Sequence, residues 1–119
     1  MITLNEIADE VHANAKNKGF HNDGLTRWEF VSRHCNLLHE EVSELFGAVR
    51  TGTLDEPCDK AAKMAEMGLK PLSCAEEELA DIIIRCLDQC RRLGIDIQTA
   101  IETKHRYNCS RPFMHGKKM

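Results

Sequence analysis

Apolar residues recur at intervals of three or four along most of the chain, the pattern of helices that bury one side. The longest such run predicts a helix from Leu25 to Arg50, about 40 Å long at 1.5 Å per residue. Its predicted buried stripe consists of Trp28, Val31, Cys35, Leu38, Val42, Leu45 and Val49. Shorter helices are predicted from Thr3 to near Gly19, from Ser73 to Leu93, and from Asp96 to Tyr107 or Asn108.

The remaining segments connect or follow these helices. Residues 51–73 are interpreted as an insert, in which Asp55-Glu56-Pro57 could open a short helix with proline in its first turn. Pro112 disfavours helix at the preceding residue, so 111–119 is predicted to be an extended tail. With three prolines and few β-branched runs, the sequence predicts an all-α fold.

Composition limits the class of protein. A chain of 119 residues suits one domain, 1–119. The net charge of −3 argues against a nucleic-acid binder, which would carry a basic surface. The N-terminus lacks a basic region followed by an apolar run, and no stretch is apolar enough for a membrane span. Six cysteines without a CxxC motif favour reduced core thiols, so a cytoplasmic protein is expected.

Two acidic pairs stand out against this helical pattern. Glu41 and Glu44 lie three residues apart, as do Glu78 and Asp81. Such neighbours share one side of a helix, with Cβ atoms about 5–6 Å apart. Each pair borders an apolar stripe, and face-to-face packing would bring all four acids together. Because like charges 4 Å apart repel by roughly 4 kcal/mol at intermediate dielectric, the pattern predicts a bound cation.

The chemistry of the donors narrows the choice of metal. Oxygen-only ligation favours Mg²⁺, Mn²⁺ or Ca²⁺ over zinc, and Mg²⁺ commonly shares its shell with substrate phosphates. Farther along, Lys104 and Asn108 share a helix side and Arg111 follows, a set suited to phosphate oxygens. Arg85, one turn after Asp81, is predicted to form a salt bridge with it.

The motifs together resemble the MazG-like all-α nucleoside triphosphate pyrophosphohydrolases, in particular their short single-domain members. The similarity covers most of the chain and comprises Lys18-Gly19-Phe20, Glu40-Glu41-x-x-Glu44, Glu78-x-x-Asp81, Leu93-Gly94-Ile95-Asp96, Ile101-Glu102-x-Lys104, and Tyr107-Asn108-x-x-Arg111-Pro112-x-x-His115-Gly116-Lys117-Lys118. It implies a four-helix-bundle-type fold. The gap from Glu44 to Glu78 is longer than that family usually shows, and His21-Asn22 stands where its members often place a tryptophan.

The resemblance implies Mg²⁺-dependent hydrolysis of a nucleoside or deoxynucleoside triphosphate to the monophosphate and pyrophosphate, with Mn²⁺ as a possible substitute. The metal ligands would be Glu41, Glu44, Glu78 and Asp81. Glu40 could hold or deprotonate the attacking water, or be a solvated surface residue. The phosphates would meet Lys104, Asn108 and Arg111. Trp28, His21 and Asn22 are candidates for the base, although a lone tryptophan on an apolar stripe also suits core packing.

Other functions fit parts of the sequence. A di-iron carboxylate bundle needs two Glu-x-x-His motifs, and this chain has only Glu102-Thr103-Lys104-His105. A non-catalytic module that binds nucleotide or a protein partner could retain the same scaffold. Members of the resembled family pair long helices across a two-fold axis, so a homodimer or homotetramer is expected.

Overall fold

The computed structural model describes residues 1–118 as five α-helices followed by a short C-terminal turn. The helices are α1 (Leu4–Asn17), α2 (Arg27–Thr51), α3 (Ala61–Glu66), α4 (Cys74–Arg92) and α5 (Ile97–Cys109), and the turn is Phe113–Gly116. Within this part of the chain there is one isolated bridge, between Pro57 and Ser73, and no β-strand. The predicted all-α fold is therefore confirmed.

The four long helices begin where capping side chains satisfy their first backbone N–H groups. Thr26 and Ser73 each form a complete capping box, with Glu29 and Glu76 accepting hydrogen bonds in return. Gly52, at φ 70°, ends α2 in the left-handed conformation that glycine adopts without strain. These local signals explain why the four long helices lie within a few residues of their predicted positions.

The long helices pack as a small bundle around α4. Both α1 and α2 pack against α4, and α5 packs against α1. The buried apolar side chains include Ala8 of α1, Phe30 of α2 and Leu87 of α4. This arrangement places the acidic ends of α2 and α4 side by side, as the sequence predicted.

The orientation of α4 is unusual, because its charged side faces the inside of the chain. Glu77 and Asp88 are each only 8% exposed, whereas Leu79 is 49% and Ile83 is 55% exposed. A helix of a monomeric globular protein normally shows the opposite arrangement. The inference that the acidic pair of α4 borders a buried stripe was therefore wrong. The acids lie inward, whereas Leu79 and Ile83 beside them lie outward.

The predicted stripe of α2 is also displaced from the buried side. Its buried residues are Phe30, His34 and Glu41, at intervals of four and seven along the helix. Of the predicted stripe, Trp28, Cys35, Val42 and Val49 are exposed and Val31, Leu38 and Leu45 are half-buried. The apolar surface of α2 is thus wider than the side that α4 covers.

The insert contains one short helix and is fastened to the start of α4. Its helix α3 begins at Ala61, so the predicted start near Pro57 was wrong. Pro57 pairs instead with Ser73, and the Cys58 N–H donates to the Leu72 carbonyl at 2.9 Å. These bonds close residues 58–72 into a compact loop.

The C-terminal segment and the cysteines depart from expectation. Residues 113–116 form a turn, in which Met114 and His115 have positive φ, so this part of the predicted extended tail was wrong. Met119, the last residue of that tail, lies outside the described residues. All six cysteines are free thiols, but three of them are exposed rather than core: Cys35, Cys86 and Cys109.

None of the helices in residues 1–118 combines the length and the apolar character that a membrane crossing needs.

Replacement of Leu87 by alanine tests the small core. Leu87 is 4% exposed, so Leu87→Ala should lower the free energy of unfolding by about 2–4 kcal/mol. The matched substitution Leu69→Ala, at a leucine that is 54% exposed, should change it by less than about 0.5 kcal/mol. Urea denaturation followed by circular dichroism measures both, and equal losses would contradict the assigned core.

Candidate metal centre and adjoining cavity

Three of the four predicted metal ligands meet between α2 and α4. Carboxylate oxygens of Glu41, Glu44 and Glu78 lie within 4.8 Å of one another. Asp81, one turn beyond Glu78, is not part of that group but lies close enough to Glu41 for their charges to interact. The two acidic pairs therefore come together across the helix interface.

Arg85 neutralises part of this charge. Its Nε donates to Oε1 of Glu41 at 2.9 Å. Glu41 is a buried residue, with only 8% of its surface exposed. The predicted salt bridge between Arg85 and Asp81 was wrong. Arg85 reaches across to α2 instead, because the inward side of α4 faces Glu41.

The insert supplies a second cation on the other side of the acids. Lys60 forms a salt bridge with Glu77, which is buried at the start of α4. Its positive charge also acts on Asp81. The neighbourhood thus contains five carboxylates and two cations, those of Arg85 and Lys60, so negative charge remains in excess.

The excess negative charge contributes to raised pKa values for two of the acids. Burial, together with the charge of Glu44, raises the pKa of Glu78 to about 7. Burial and the charge of Glu41 likewise raise the pKa of Asp81. A carboxyl group with a raised pKa is one whose ionised form lacks sufficient compensation.

Two carboxylate oxygens are also buried without a hydrogen-bond partner. These are Oε2 of Glu41 and Oε2 of Glu78, and both belong to the convergent group. Buried polar atoms normally have partners, so such orphans require an explanation. A divalent cation would supply one, and a donor set made only of oxygens fits Mg²⁺ or Mn²⁺.

A cavity of about 510 Å³ adjoins this group and is lined by residues of α1, α2, α4 and the loop between α1 and α2. Glu41, Asp81 and Arg85 form one part of its wall, and Phe20, Phe30 and His34 form another. None of its lining residues comes from the insert. This volume lies within the range of small-molecule sites, and its wall combines aromatic and charged groups.

A second group of possible ligands, His12, His21 and Asp88, is already satisfied by hydrogen bonds. Arg92 Nη1 lies 3.1 Å from Nδ1 of His21, and a guanidinium can only donate. The proton of neutral His21 therefore sits on Nε2, which donates to Asp88 at 2.7 and 2.9 Å. His12 Nδ1 makes the remaining contact with Asp88, at 2.8 Å. With Nε2 carrying a proton, His21 lacks the free lone pair that a metal ligand needs.

Arg92 also holds the loop that covers one end of the cavity. It forms two hydrogen bonds of 2.7 Å with Asp23, and its guanidinium lies 3.9 Å from the centre of the Phe30 ring. The Arg92 guanidinium beside Asp23 holds the pKa of that carboxyl well below its usual range. The loop between α1 and α2 is thereby anchored to α4.

The residues predicted to meet a base are not among those that line the cavity. Trp28 is 83% exposed, and neither it nor Asn22 lines the cavity. His21 lies beside the cavity, with its ring centre 5.8 Å from that of Phe30, but both its nitrogens have partners.

The residues predicted to meet phosphate lie together at the end of α5. Lys104 Nζ and the guanidinium of Arg111 lie 4.8 and 5.7 Å from the centre of the Tyr107 ring. Oδ1 of Asn108 is buried without a hydrogen-bond partner. None of the three lines the cavity, and α5 packs on α1 rather than between α2 and α4. Glu40, the candidate for holding water, is exposed beside the acids.

Sequence reasoning missed several members of the site. His34 precedes Glu41 by seven residues, two helical turns, and this spacing would have placed both on one side of α2. The contact between Lys60 and Glu77 spans 17 residues across an insert of unknown shape, and no sequence signal indicated it.

Comparisons of the chain with protein-family models, with curated proteins and with solved structures find no match.

Removal of the Glu78 charge tests the electrostatics directly. Because the folded-state pKa is raised to about 7 from 4.5, the ionised carboxylate costs stability that grows as the pH rises from about 4.5 to about 7. Without divalent cations, Glu78→Gln should therefore raise Tm at pH 8 by a few degrees and change it little at pH 4.5. Thermal unfolding in EDTA measures this effect.

The matched control is Glu66→Gln, at an exposed residue of α3. It should leave Tm nearly unchanged at both pH values. A fall in Tm for Glu78→Gln at pH 8 would contradict the proposed charge excess.

Proposed function

We propose that this protein is a Mg²⁺-dependent nucleoside triphosphate pyrophosphohydrolase of the MazG-like type. Water attack would cleave the bond between the α and β phosphates and release a nucleoside monophosphate and pyrophosphate. Mn²⁺ could replace Mg²⁺. The proposal combines the motif resemblance with the convergence of acids described above, and it extends to a MazG-like four-helix arrangement formed by α1, α2, α4 and α5.

The carrying observation is the group formed by Glu41, Glu44 and Glu78. Three carboxylates lie within 4.8 Å of one another, and two of their buried oxygens lack partners. Carboxylate oxygens on a protein surface form hydrogen bonds with water, so they are not left buried without a partner. Next to a cavity of about 510 Å³, this donor set supports a cation that faces a bound substrate.

The side chains divide the work in this proposal. Arg85 holds Oε1 of Glu41, which leaves Oε2 free for ligation. Glu44, Glu78 and Asp81 complete the donor set. Mg²⁺ bound there would add positive charge beside the phosphate chain and help to orient the attacking water. Glu40, exposed on the adjacent turn, is the candidate for holding that water.

The positive group on α5 has a separate proposed role. Lys104, Asn108 and Arg111 would bind phosphate oxygens, as the motif resemblance implies. Lys104 and Arg111 both lie near the Tyr107 ring, which supports a shared role for these two cations.

We also propose that two copies of the chain associate. The accessible surface is 8982 Å², whereas a folded monomer of 13.5 kDa exposes roughly 6,500 Å². The radius of gyration is 16.9 Å, against about 13.5 Å for a compact domain of this length. The accessible surface beyond that of a typical monomer is larger than the roughly 800 Å² that each partner buries in a standard interface.

The outward side of α4 is the proposed centre of that contact. Leu79 and Ile83 on α4, with Val42 and Phe46 on α2, are each about half exposed. Large exposed apolar areas on helices of such length mark interaction surfaces. A second copy is the proposed occupant, because pairing would return α4 to the normal state of a helix with its apolar side covered.

Hydrolysis is tested by incubating the protein with Mg²⁺ and a panel of NTPs and dNTPs, then quantifying monophosphate, pyrophosphate and orthophosphate. We expect equal amounts of monophosphate and pyrophosphate from at least one substrate. Glu41→Gln and Glu78→Gln should each lower kcat/KM at least about a hundredfold, the scale of single charge-stabilising groups. Glu66→Gln, at an exposed position of α3, should retain full activity.

Release of orthophosphate alone, or full activity of Glu41→Gln, would refute the proposed reaction. Nucleotide binding without any hydrolysis would favour the non-catalytic module instead.

Association is tested by sedimentation velocity of the wild type and of Ile83→Glu. The wild type should sediment as a dimer or larger species. A carboxylate on the apolar side of α4 should weaken association at least about tenfold, since burying an unpaired charge is costly. Met67→Glu, at a methionine that is 64% exposed near α3, should sediment like the wild type. A monomeric wild type would refute the proposed interface.

A further inference from the structure

The wall of the cavity contains one buried ring whose hydrogen-bonding capacity is unused. His34 of α2 is 6% exposed and makes no hydrogen bond to any residue in the described part of the chain. Its Nδ1 is fully buried without a partner. Buried imidazoles are ordinarily hydrogen-bonded, so an unused one beside a cavity points to a ligand.

The other histidine rings near the cavity already have hydrogen-bond partners. Asp88 accepts from both His12 and His21, and Arg92 contacts His21 and Asp23. These bonds fix the side chains in place and leave them little freedom to meet a ligand. Among the described residues, His34 is the histidine that lines the cavity and lacks such a partner.

His34 is uncharged in its pocket. Burial lowers the pKa of its imidazole, and the positive charge of Arg85 acts in the same direction, although Asp88 opposes them. At neutral pH the ring therefore offers one N–H donor and one lone pair. Neutral rings recognise neutral polar groups and have no particular attraction for phosphate.

The surroundings of His34 suit a flat ligand. The Phe30 ring lies 4.4 Å from the imidazole, centre to centre, at an angle of 41°. Phe20, which is 72% exposed, contributes a second aromatic ring to the same wall. Aromatic side chains beside a polar group that fixes orientation are typical of sites for planar heterocycles.

The position of His34 also relates to the acids. It lies seven residues before Glu41 on the same helix, and this corresponds to about 10 Å along the axis. Both residues line one cavity. A ligand with a ring at His34 could therefore extend a charged chain towards Glu41 and Asp81.

We propose that His34 is a specificity-determining residue, which hydrogen-bonds the edge of the nucleobase while Phe20, the exposed ring of the same wall, contacts its face. This inference rests on the proposed function, because it assigns the base of the same nucleotide whose phosphates face the acids. In this proposal, His34 takes the base-recognising role that was predicted for Trp28, His21 and Asn22.

Discrimination among bases tests this role. In assays with the four dNTPs, the ratio of the highest to the lowest kcat/KM should fall at least tenfold in His34→Phe. This substitution preserves a flat ring and removes both nitrogens. His34→Gln, which restores a donor and an acceptor, should recover part of the discrimination. His39→Phe, at an exposed histidine on the same helix, should retain the wild-type ratios.

A uniform loss of kcat/KM for all four substrates would indicate a packing role and overturn the proposal. Unchanged ratios in His34→Phe would overturn it as well.

A binding measurement on the wild type separates this inference from the hydrolysis and requires no variant. The four 2′-deoxynucleosides are titrated in EDTA while the imidazole ¹⁵N signals are recorded by NMR. The His34 signals should shift most with the preferred nucleoside, and those of His39 should stay fixed.

Shifts at His34 without any triphosphate hydrolysis would support the base site and refute the reaction. Hydrolysis with His34 signals unmoved by every nucleoside would refute the base site and leave the reaction standing.

Discussion

The structure depends on the burial of charged groups along one side of α4. Glu77 and Asp88 are buried, although slightly less than the apolar core, and each is held by ion pairs or hydrogen bonds from another element. Taking charge out of water costs several kcal/mol per ion unless partners compensate it. Because the partners come from α1, the loop after it, and the insert, these contacts determine where those segments sit.

The same constraint distinguishes the satisfied charges from the unsatisfied ones. Asp23 and Asp88 have strong partners, and Arg85 satisfies one oxygen of Glu41. Among the described residues, Oε2 of Glu78 and Oε2 of Glu41 have no hydrogen-bond partner. Within one small interior, compensation is thus complete at Asp23 and Asp88 and incomplete at Glu41 and Glu78.

Local patterns in the sequence sufficed to predict the helices and the acidic convergence. The apolar periodicity from Leu25 and the acidic first turns after Ser73 are short-range signals, so the starts of α2 and α4 could be placed within two residues. The spacing of three between Glu41 and Glu44 determines their common side on any helix. Both inferences need only the geometry of a single helix.

The sequence could not predict which side of a helix faces inward. The apolar stripes that include Val42 of α2 and Ile83 of α4 were assigned to the core, because burial within one chain is the usual way to remove apolar surface from water. That rule does not say which molecule provides the cover. The partners of Arg85 and Lys60 were hidden for a similar reason, since contacts between distant segments have no local pattern.

The closure of the insert has a consequence for how such chains can vary. Its two ends are held side by side by the hydrogen bond between Cys58 and Leu72, and no lining residue of the cavity lies between them. Lengthening a loop whose ends already meet adds little entropic cost, about 0.6 kcal/mol for each doubling. The segment between Lys60 and Pro71 is therefore a place where the chain can accept insertions or a fused domain while the cavity keeps its shape.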